Sequence, residues 1–233
     1  MTLNHIGIIP DGNGRWATQN GLLKSDGHNA GAIAAKNLIK IASRHGVKHL
    51  TFYGFSSENW NRTDKEVKDL MSIISNYLKN EINDIVTSNV RFRVIGDKSK
   101  LSPEVQEAID YAENATRNNH KFNLYLALSY GGRDEITRCI RKIVDGQISS
   151  DQINEDLIST MLDVPDMPNV DLVIRTSGEM RLSNFLIWQT AYSELYFSKK
   201  LWPDFGEDDL IEAINEYKNR ERNFGYAREQ IRQ

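Results

Sequence analysis

Five polar segments, each following an apolar run, hold the residue types that could do chemistry. They are Asp11-Gly12-Asn13-Gly14-Arg15-Trp16, Phe55-Ser56-Ser57-Glu58-Asn59-Trp60-Asn61-Arg62, Tyr130-Gly131-Gly132-Arg133, Arg175-Thr176-Ser177-Gly178-Glu179 and Arg181-Leu182-Ser183-Asn184. Arginine recurs in them beside glycine. A guanidinium offers paired, charge-assisted bonds to a diphosphate, and glycine lets backbone N–H groups approach the oxygens. Asp11 would be repelled by such a ligand unless a divalent cation lay between them. Mg²⁺ held by one carboxylate plus substrate phosphates is the usual arrangement, so these residues point to a diphosphate site with Asp11 as metal ligand.

Other chemistries fit less well. Gly12-x-Gly14-x-x-Ala17 after a strand has the dinucleotide-binding spacing, but the acidic ribose partner should lie about 20 residues on, at the next strand's end. The nearest acid there is Glu58. Asp11-x-Asn13 begins like a calcium loop, yet Trp16 stands where glycine is required and Leu22 where Glu is. From the segment alone, Asp11-Gly12-Asn13-Gly14 equally reads as a tight turn. His28 reads as a helix-start residue, His5 as a structural residue of a strand, and Trp16, Trp60, Trp188 and Trp202 as core or interface anchors.

These segments need elements to position them. Short β-rich runs at residues 5–9, 49–53, 90–95, 122–128 and 171–174 alternate with helical periods. The helices are expected over residues 28–45, 64–87, 103–117, 134–144, 151–162 and 207–222. The first carries Ile33, Leu38, Ile39 and Ile41 on its apolar face. The second, roughly 36 Å long, carries an unbroken stripe from Val67 to Ile85. It either packs on the sheet or lines a slot for a hydrocarbon. The pattern implies an α/β fold: a single domain over residues 1–233, with a mostly parallel six-stranded central sheet flanked by helices. Ligands of such sheets bind beyond the carboxyl ends of the strands, where the polar segments fall.

Composition narrows the class. With 233 residues, 39% hydrophobic and 26% charged, the chain can bury a full core without staples and is neither disordered nor fibrous. A net charge of -3 excludes the broad basic face of a non-specific nucleic-acid binder. The single cysteine, Cys139, suits a reducing compartment, so a cytoplasmic location is expected. No apolar segment approaches the roughly 18 residues of a membrane span, so any membrane contact is expected to be peripheral.

The blocks taken together are more specific than their parts. His5-Ile6-Gly7-Ile8-Ile9-Pro10-Asp11-Gly12-Asn13-Gly14-Arg15-Trp16-Ala17 resembles the signature of the cis-prenyltransferases. The resemblance runs on through Gly27-His28, the Phe55–Arg62 and Tyr130–Arg133 blocks, Ile174–Glu179, Arg181–Leu186 and Glu194-Leu195-Tyr196-Phe197 to Leu201-Trp202-Pro203-Asp204-Phe205. It implies a Mg²⁺-dependent homodimeric α/β enzyme that adds isopentenyl diphosphate repeatedly, in Z configuration, to an allylic diphosphate such as farnesyl diphosphate. The expected product is a fifty-five-carbon lipid carrier for cell-wall synthesis, grown in a hydrophobic tunnel walled by the long helix and the first two strands.

The resemblance also implies roles. Asp11 engages the metal and the allylic diphosphate, which Gly12, Asn13, Gly14, Arg15 and Trp16 cradle, with Lys24 and His28 nearby. Lys24 stands where the family more often has Arg, keeping the charge but losing the fork. Arg175, Arg181, Leu182 and Ser183 match the isopentenyl diphosphate site, and Glu194 matches an acid near the metal. Phe55, Ser56, Ser57, Glu58, Asn59, Trp60 and Arg62 match a mobile loop that places substrates, with Asn59 assisting proton removal. Pro10, where Met is usual, removes a backbone donor at the site's edge.

Overall fold

Strand β1 (His5–Ile9) is buried along its whole length, as a strand flanked on both sides and covered on both faces must be. In the structure, a computed structural model describing residues 2–220, it lies between β2 (His49–Ser56) and β5 (Leu172–Arg175). With β3 (Val90–Ile95), β4 (Phe122–Tyr130) and β6 (Glu194–Phe197) these form one six-stranded sheet, order β3-β4-β2-β1-β5-β6, with every pair parallel. The strand order reverses at β1, which makes its carboxyl end the topological switch point where such sheets bind ligands.

Alternation sends Ile6, Ile8, Leu50, Phe52, Phe92 and Leu124 to one face, where they pack with Leu38, Leu78, Ile109 and Leu210. Those four come from α2 (Lys24–Arg44), α3 (Asp64–Thr87), α4 (Pro103–Thr116) and α7 (Glu207–Asn219). Each large aliphatic side chain so buried contributes about 1.5–3 kcal/mol relative to exposure. The opposite face, with Ile9, Tyr53, Tyr125 and Val173, is covered by Val164, Val170, Phe185 and Leu186. A satellite cluster joins α5 (Gly132–Asp145) to α6 (Glu155–Met161) through Cys139, Ile143 and Ile158. Strand β3 is an edge, and its outward N–H groups at Phe92 and Val94, with that of Gly96 just past its end, are taken by Thr116, Glu113 and Asp163 side chains. That blunts the edge against further pairing.

Several elements depart from the sequence-based expectation. Residues Asn13–Gln19 form a helix, α1, where the Asp-Gly-Asn-Gly run equally suits a tight turn. Gly12, at φ 111°, turns the chain out of β1, and Gly27 and Gly31 of α2 give α1 its berth. A Cβ on Gly27 would stand 2.2 Å from the Asn13 carbonyl oxygen, so only glycine lets the two helices meet. Helix α2 starts earlier than expected, at Lys24, and its Ile33 is 63% exposed rather than buried. The sixth strand, β6, is too short to give a sequence period of its own. A 3-10 turn, Ser150–Gln152, replaces the start of the helix expected over 151–162. Helix α7 ends at Asn219, and residues 221–222 of its expected span lie outside the described residues.

Strand β2 also runs on to Ser56 instead of ending at residue 53. An extra residue at Gly54 in β2 is matched by one at Ser129 in β4, because Tyr53 pairs with Ala127, Phe55 with Leu128 and Ser56 with Tyr130. The first bulge returns Phe55 to the face that Phe52 occupies. There it meets Trp60 edge-on at 4.9 Å, while the Trp60 indole N–H donates to Ser129 Oγ at 3.0 Å.

Candidate active site

The site is built where β1 and β5 end side by side. Ile9 pairs with Arg175, so Asp11 and Arg175 leave the sheet as neighbours. The Asp11 N–H donates to Thr176 Oγ1 at 2.9 Å, and that hydroxyl donates back to the Asp11 carbonyl at 2.7 Å. This pins the backbone on which the carboxylate stands. Arg175, 5% exposed, reaches across with Nη2 to Asp11 Oδ2 at 2.9 Å and with Nη1 to Ser183 Oγ at 2.7 Å. Its Nε is buried with no hydrogen-bond partner. From α1, Arg15 donates to Asp11 Oδ1 at 3.3 Å and to the Ser177 carbonyl at 3.1 Å.

Asp11 is thus a half-exposed carboxylate between two guanidinium groups. Partial burial pushes its pKa up, but the Arg175 and Arg15 interactions outweigh it and hold the carboxyl below the ordinary range. Glu179 bridges Arg15, at 3.4 Å, and Arg181. Ser177, Ser183 and Asn184 all have φ between 49° and 73°, so the backbone carrying these groups is strained, as functional loops often are.

Beside Asp11 opens a cavity of about 680 Å³. Its mouth is polar, with Asp11, Asn13, His28, Ser56, Glu58, Asn59, Arg62, Arg175 and Ser183 on it. Its interior is apolar, with Ala35 and Ile39 of α2, Leu70, Ile74 and Tyr77 of α3, and Phe52, Phe92, Leu124 and Leu126 of the sheet. The 3-10 turn Ser57–Asn61 hangs over the mouth, and Asn59 Oδ1 accepts the Ser56 N–H at 3.0 Å to shape it. Burial, with the positive charges of Arg62 and Lys24 nearby, lowers the His28 pKa, and Glu66 and Asp69 only partly oppose this. His28 is therefore a neutral group at physiological pH.

The remaining sequence-predicted residues fall outside that lining. Gly12 caps α1 directly after Asp11, Gly14 lies in its first turn, and Trp16 ties α1 down by donating to Asp204 Oδ1 at 2.7 Å. Lys24 and Arg181 are exposed, Leu182 packs on the second core, and Phe55 packs beneath the 3-10 turn against its Trp60. Ser57 lies against Gly131. Glu194 opens β6 level with Leu172 and Ile6, at the amino end of the sheet, and pairs with Arg220 at 2.8 Å. Asp11 lies past the other end of β1, so within this chain the two acids do not share a site. No group of three or more His, Cys, Asp or Glu side chains among the described residues could cage a metal.

Sequence reasoning assigned no role to Thr176, Ser177, Glu179, Asn184 or Tyr53. All but Tyr53 lie in the polar segments, but which of them touch is a matter of tertiary contact. The Tyr53 hydroxyl bridges the Tyr130 and Ser183 carbonyls, both at 3.2 Å, and no sequence signal marks it.

The geometry has counterparts. The family model described as "Putative undecaprenyl diphosphate synthase" matches residues 9–225. An isoprenyl transferase of Clostridium perfringens is 48% identical over 225 residues, spanning 95% of this chain and 89% of the relative. A ditrans,polycis-undecaprenyl-diphosphate synthase, (2E,6E)-farnesyl-diphosphate specific, of Vibrio parahaemolyticus is 44% identical over 232 residues, 98% of this chain and 92% of the relative. Among solved structures, lavandulyl diphosphate synthase from Lavandula x intermedia, in complex with dimethylallyl diphosphate, superposes with a TM-score of 0.91 at 40% identity, covering 95% of this chain and 98% of that one. A probable undecaprenyl diphosphate synthase from Campylobacter jejuni gives 0.82 at 32% identity, covering 97% and 99%.

Proposed function

The chain belongs to the undecaprenyl diphosphate synthase family, and from that premise we propose that it condenses isopentenyl diphosphate repeatedly, in Z configuration, onto farnesyl diphosphate to make undecaprenyl diphosphate. The observation that carries the reading is Asp11 held by Arg175 and Arg15 at the polar mouth of an apolar cavity. Such a cavity suits a molecule with a charged head and a hydrocarbon tail.

Arg15 and the first-turn N–H groups of α1 hold the allylic diphosphate beside Asp11. The first turn of a helix has no internal partners for those donors. His28, neutral, donates a further hydrogen bond there. Arg175, Arg181 and Ser183 hold isopentenyl diphosphate. As the allylic bond breaks, negative charge grows on the leaving diphosphate, and Arg15 is placed to neutralise it. The second substrate's double bond attacks the allyl cation, and a proton then leaves the new chain. Asn59 guides that proton toward a diphosphate oxygen, since an amide is not itself a base.

A single half-exposed carboxylate with free lone pairs, beside a diphosphate site, fits Mg²⁺ held by one carboxylate plus substrate phosphates. Asp11 would hold the ion, which when bound supplies charge neutralisation at the diphosphate. The growing chain extends into the cavity, which serves as its tunnel, between α2 and α3. The enzyme works as a homodimer in the cytoplasm, one catalytic domain per chain, with peripheral membrane contact for product release. No helix among the described residues is long and apolar enough to cross a membrane.

The test is incorporation of labelled isopentenyl diphosphate onto farnesyl diphosphate or dimethylallyl diphosphate, with Mg²⁺ or EDTA, for wild type and Asp11→Ala, with products sized by chromatography. Fifty-five-carbon product that needs both the metal and Asp11 is expected. No product from any primer with a folded, purified protein would overturn the reading.

A further inference from the structure

We propose that Asn184 is a positioning residue for the transfer, the post on which the Ser57–Asn61 turn docks, so that closure of the turn is tied to the backbone that holds Arg175. The proposal rests on the prenyltransferase reading above. Asn184 sits at φ 64°, a left-handed conformation that costs most residues energy and that asparagine tolerates better than most. Its polar groups serve two different segments, the start of α5 and the turn. The carbonyl accepts the Gly132 N–H at 2.7 Å, and Oδ1 accepts the Arg133 N–H at 2.9 Å. Nδ2 donates to Glu58 Oε1 at 3.1 Å.

The Gly132 bond fixes the backbone and the Arg133 bond to Oδ1 fixes the side-chain amide, which leaves Nδ2 aimed at the turn. Gly131 keeps the passage clear: a Cβ there would stand 2.6 Å from both Asn184 Nδ2 and Ser57 Oγ. The base of the post is equally fixed. Ser183 accepts from Arg175 and, through its carbonyl, from Tyr53, while Phe185 is fully buried and stacks on Tyr53 at 4.8 Å. The turn's other moorings, Trp60 to Ser129 and Trp60 on Phe55, lead back to β4 and β2. The Glu58 bond to Asn184 is the one that crosses to the arginine-bearing side of the mouth. Docking through it holds Ser56, Asn59 and Arg62 on the cavity.

The chemistry of the pair makes the proposal breakable by charge. Aspartate at 184 keeps the acceptor for the Arg133 N–H but sets a second carboxylate against Glu58, while glutamine at 58 restores a donor. Wild type, Asn184→Asp, Glu58→Gln and the double variant are compared for kcat and KM with isopentenyl diphosphate varied. Thermal melts and trypsin cleavage after Arg62 are followed in parallel. Asn184→Asp should lower kcat/KM about thirtyfold and speed cleavage after Arg62. The double variant should regain about tenfold and slow the cleavage again, a coupling usual for residues in contact. A double variant no better than Asn184→Asp in either readout, with wild-type melting, overturns the proposal. Should Asn184→Asp not fold, Asn184→Ala and Glu58→Ala take its place: losses that fail to add support the pair, and strictly additive losses overturn it. A wild type without prenyl transfer would sink the assigned function instead, and cleavage after Arg62 would then still decide whether Asn184 docks the turn.

Discussion

At the amino end of the β1–β5 pair, the Asp171 carboxylate accepts the N–H groups of Asn4 and His5 at 2.8 and 2.9 Å. At the carboxyl end of the same pair, the Asp11 carboxylate is held by Arg175 at 2.9 Å and Arg15 at 3.3 Å. Backbone donors cannot leave, and they carry no formal charge to lend to a ligand. Arginine side chains can swing, and their charge passes to whatever anion arrives. The histidines follow the same division. His5, fully buried between Thr51 and the Pro168 carbonyl, has its pKa pushed down to about 3, mainly by burial, and is inert at neutral pH. His28 faces the cavity. One carboxylate is bound by backbone donors, and the other by two guanidinium groups, which the proposed function makes an exchange point.

The largest break in that contrast is Asp11→Asn, which should lower kcat about a thousandfold, in line with removing a preorganised electrostatic group, while the melt stays near wild type. Steady-state rates beside calorimetry check it, and a tenfold loss or less would show that Asp11 is not the exchange point. Arg175→Lys keeps a charge but cannot bond Asp11 and Ser183 at once, so kcat/KM for isopentenyl diphosphate should fall about a hundredfold. If KM for that substrate were untouched, Arg175 would belong to the allylic side alone.

Asp171→Ala should invert the pattern. It strips two backbone N–H groups of their acceptor, so stability should drop by about 1–3 kcal/mol while kcat per folded molecule holds. Denaturant melts with active-site titration separate the two effects. Acid sharpens the comparison further. The folded Asp11 pKa lies below its unfolded value, so its ion pairs stabilise fully above the unfolded carboxylate pKa and stop doing so as pH falls through the folded one. Stability of Asp11→Asn should therefore fall less steeply in acid than wild type, and parallel curves would contradict the assignment. The smallest effect is Ser177→Gly, which relieves a left-handed φ of 73° but loses a hydroxyl contact to Arg15, for a net change within about 1 kcal/mol by melting.

The continuous apolar run of β1, the period-two run of β3 and the apolar stripe of α3 were legible to the residue, because the pattern of each is set by its nearest neighbours in sequence. Helix α1 was not, because its packing on Gly27 and Gly31 of α2 helps decide between helix and turn for an Asp-Gly-Asn-Gly run. The end of β2 was missed for a similar reason: its bulge at Gly54 is matched by one on another strand, and no local period records that. Among site residues, Asp11, Arg175 and Ser183 meet as their segments suggested, whereas Glu194 falls at the other end of the sheet.

By itself, then, the sequence determined the chemical inventory and the alternating α/β order. Residue type sets charge and hydrogen-bonding capacity, and local periodicity sets which elements can form. The tertiary structure alone decided which of two similar carboxylates meets arginines and which meets backbone donors, that Asn184 meets Glu58, and that Gly27 must be glycine. Each depends on atoms brought together from across the chain, and strand order and register, not spacing in sequence, fix their distances.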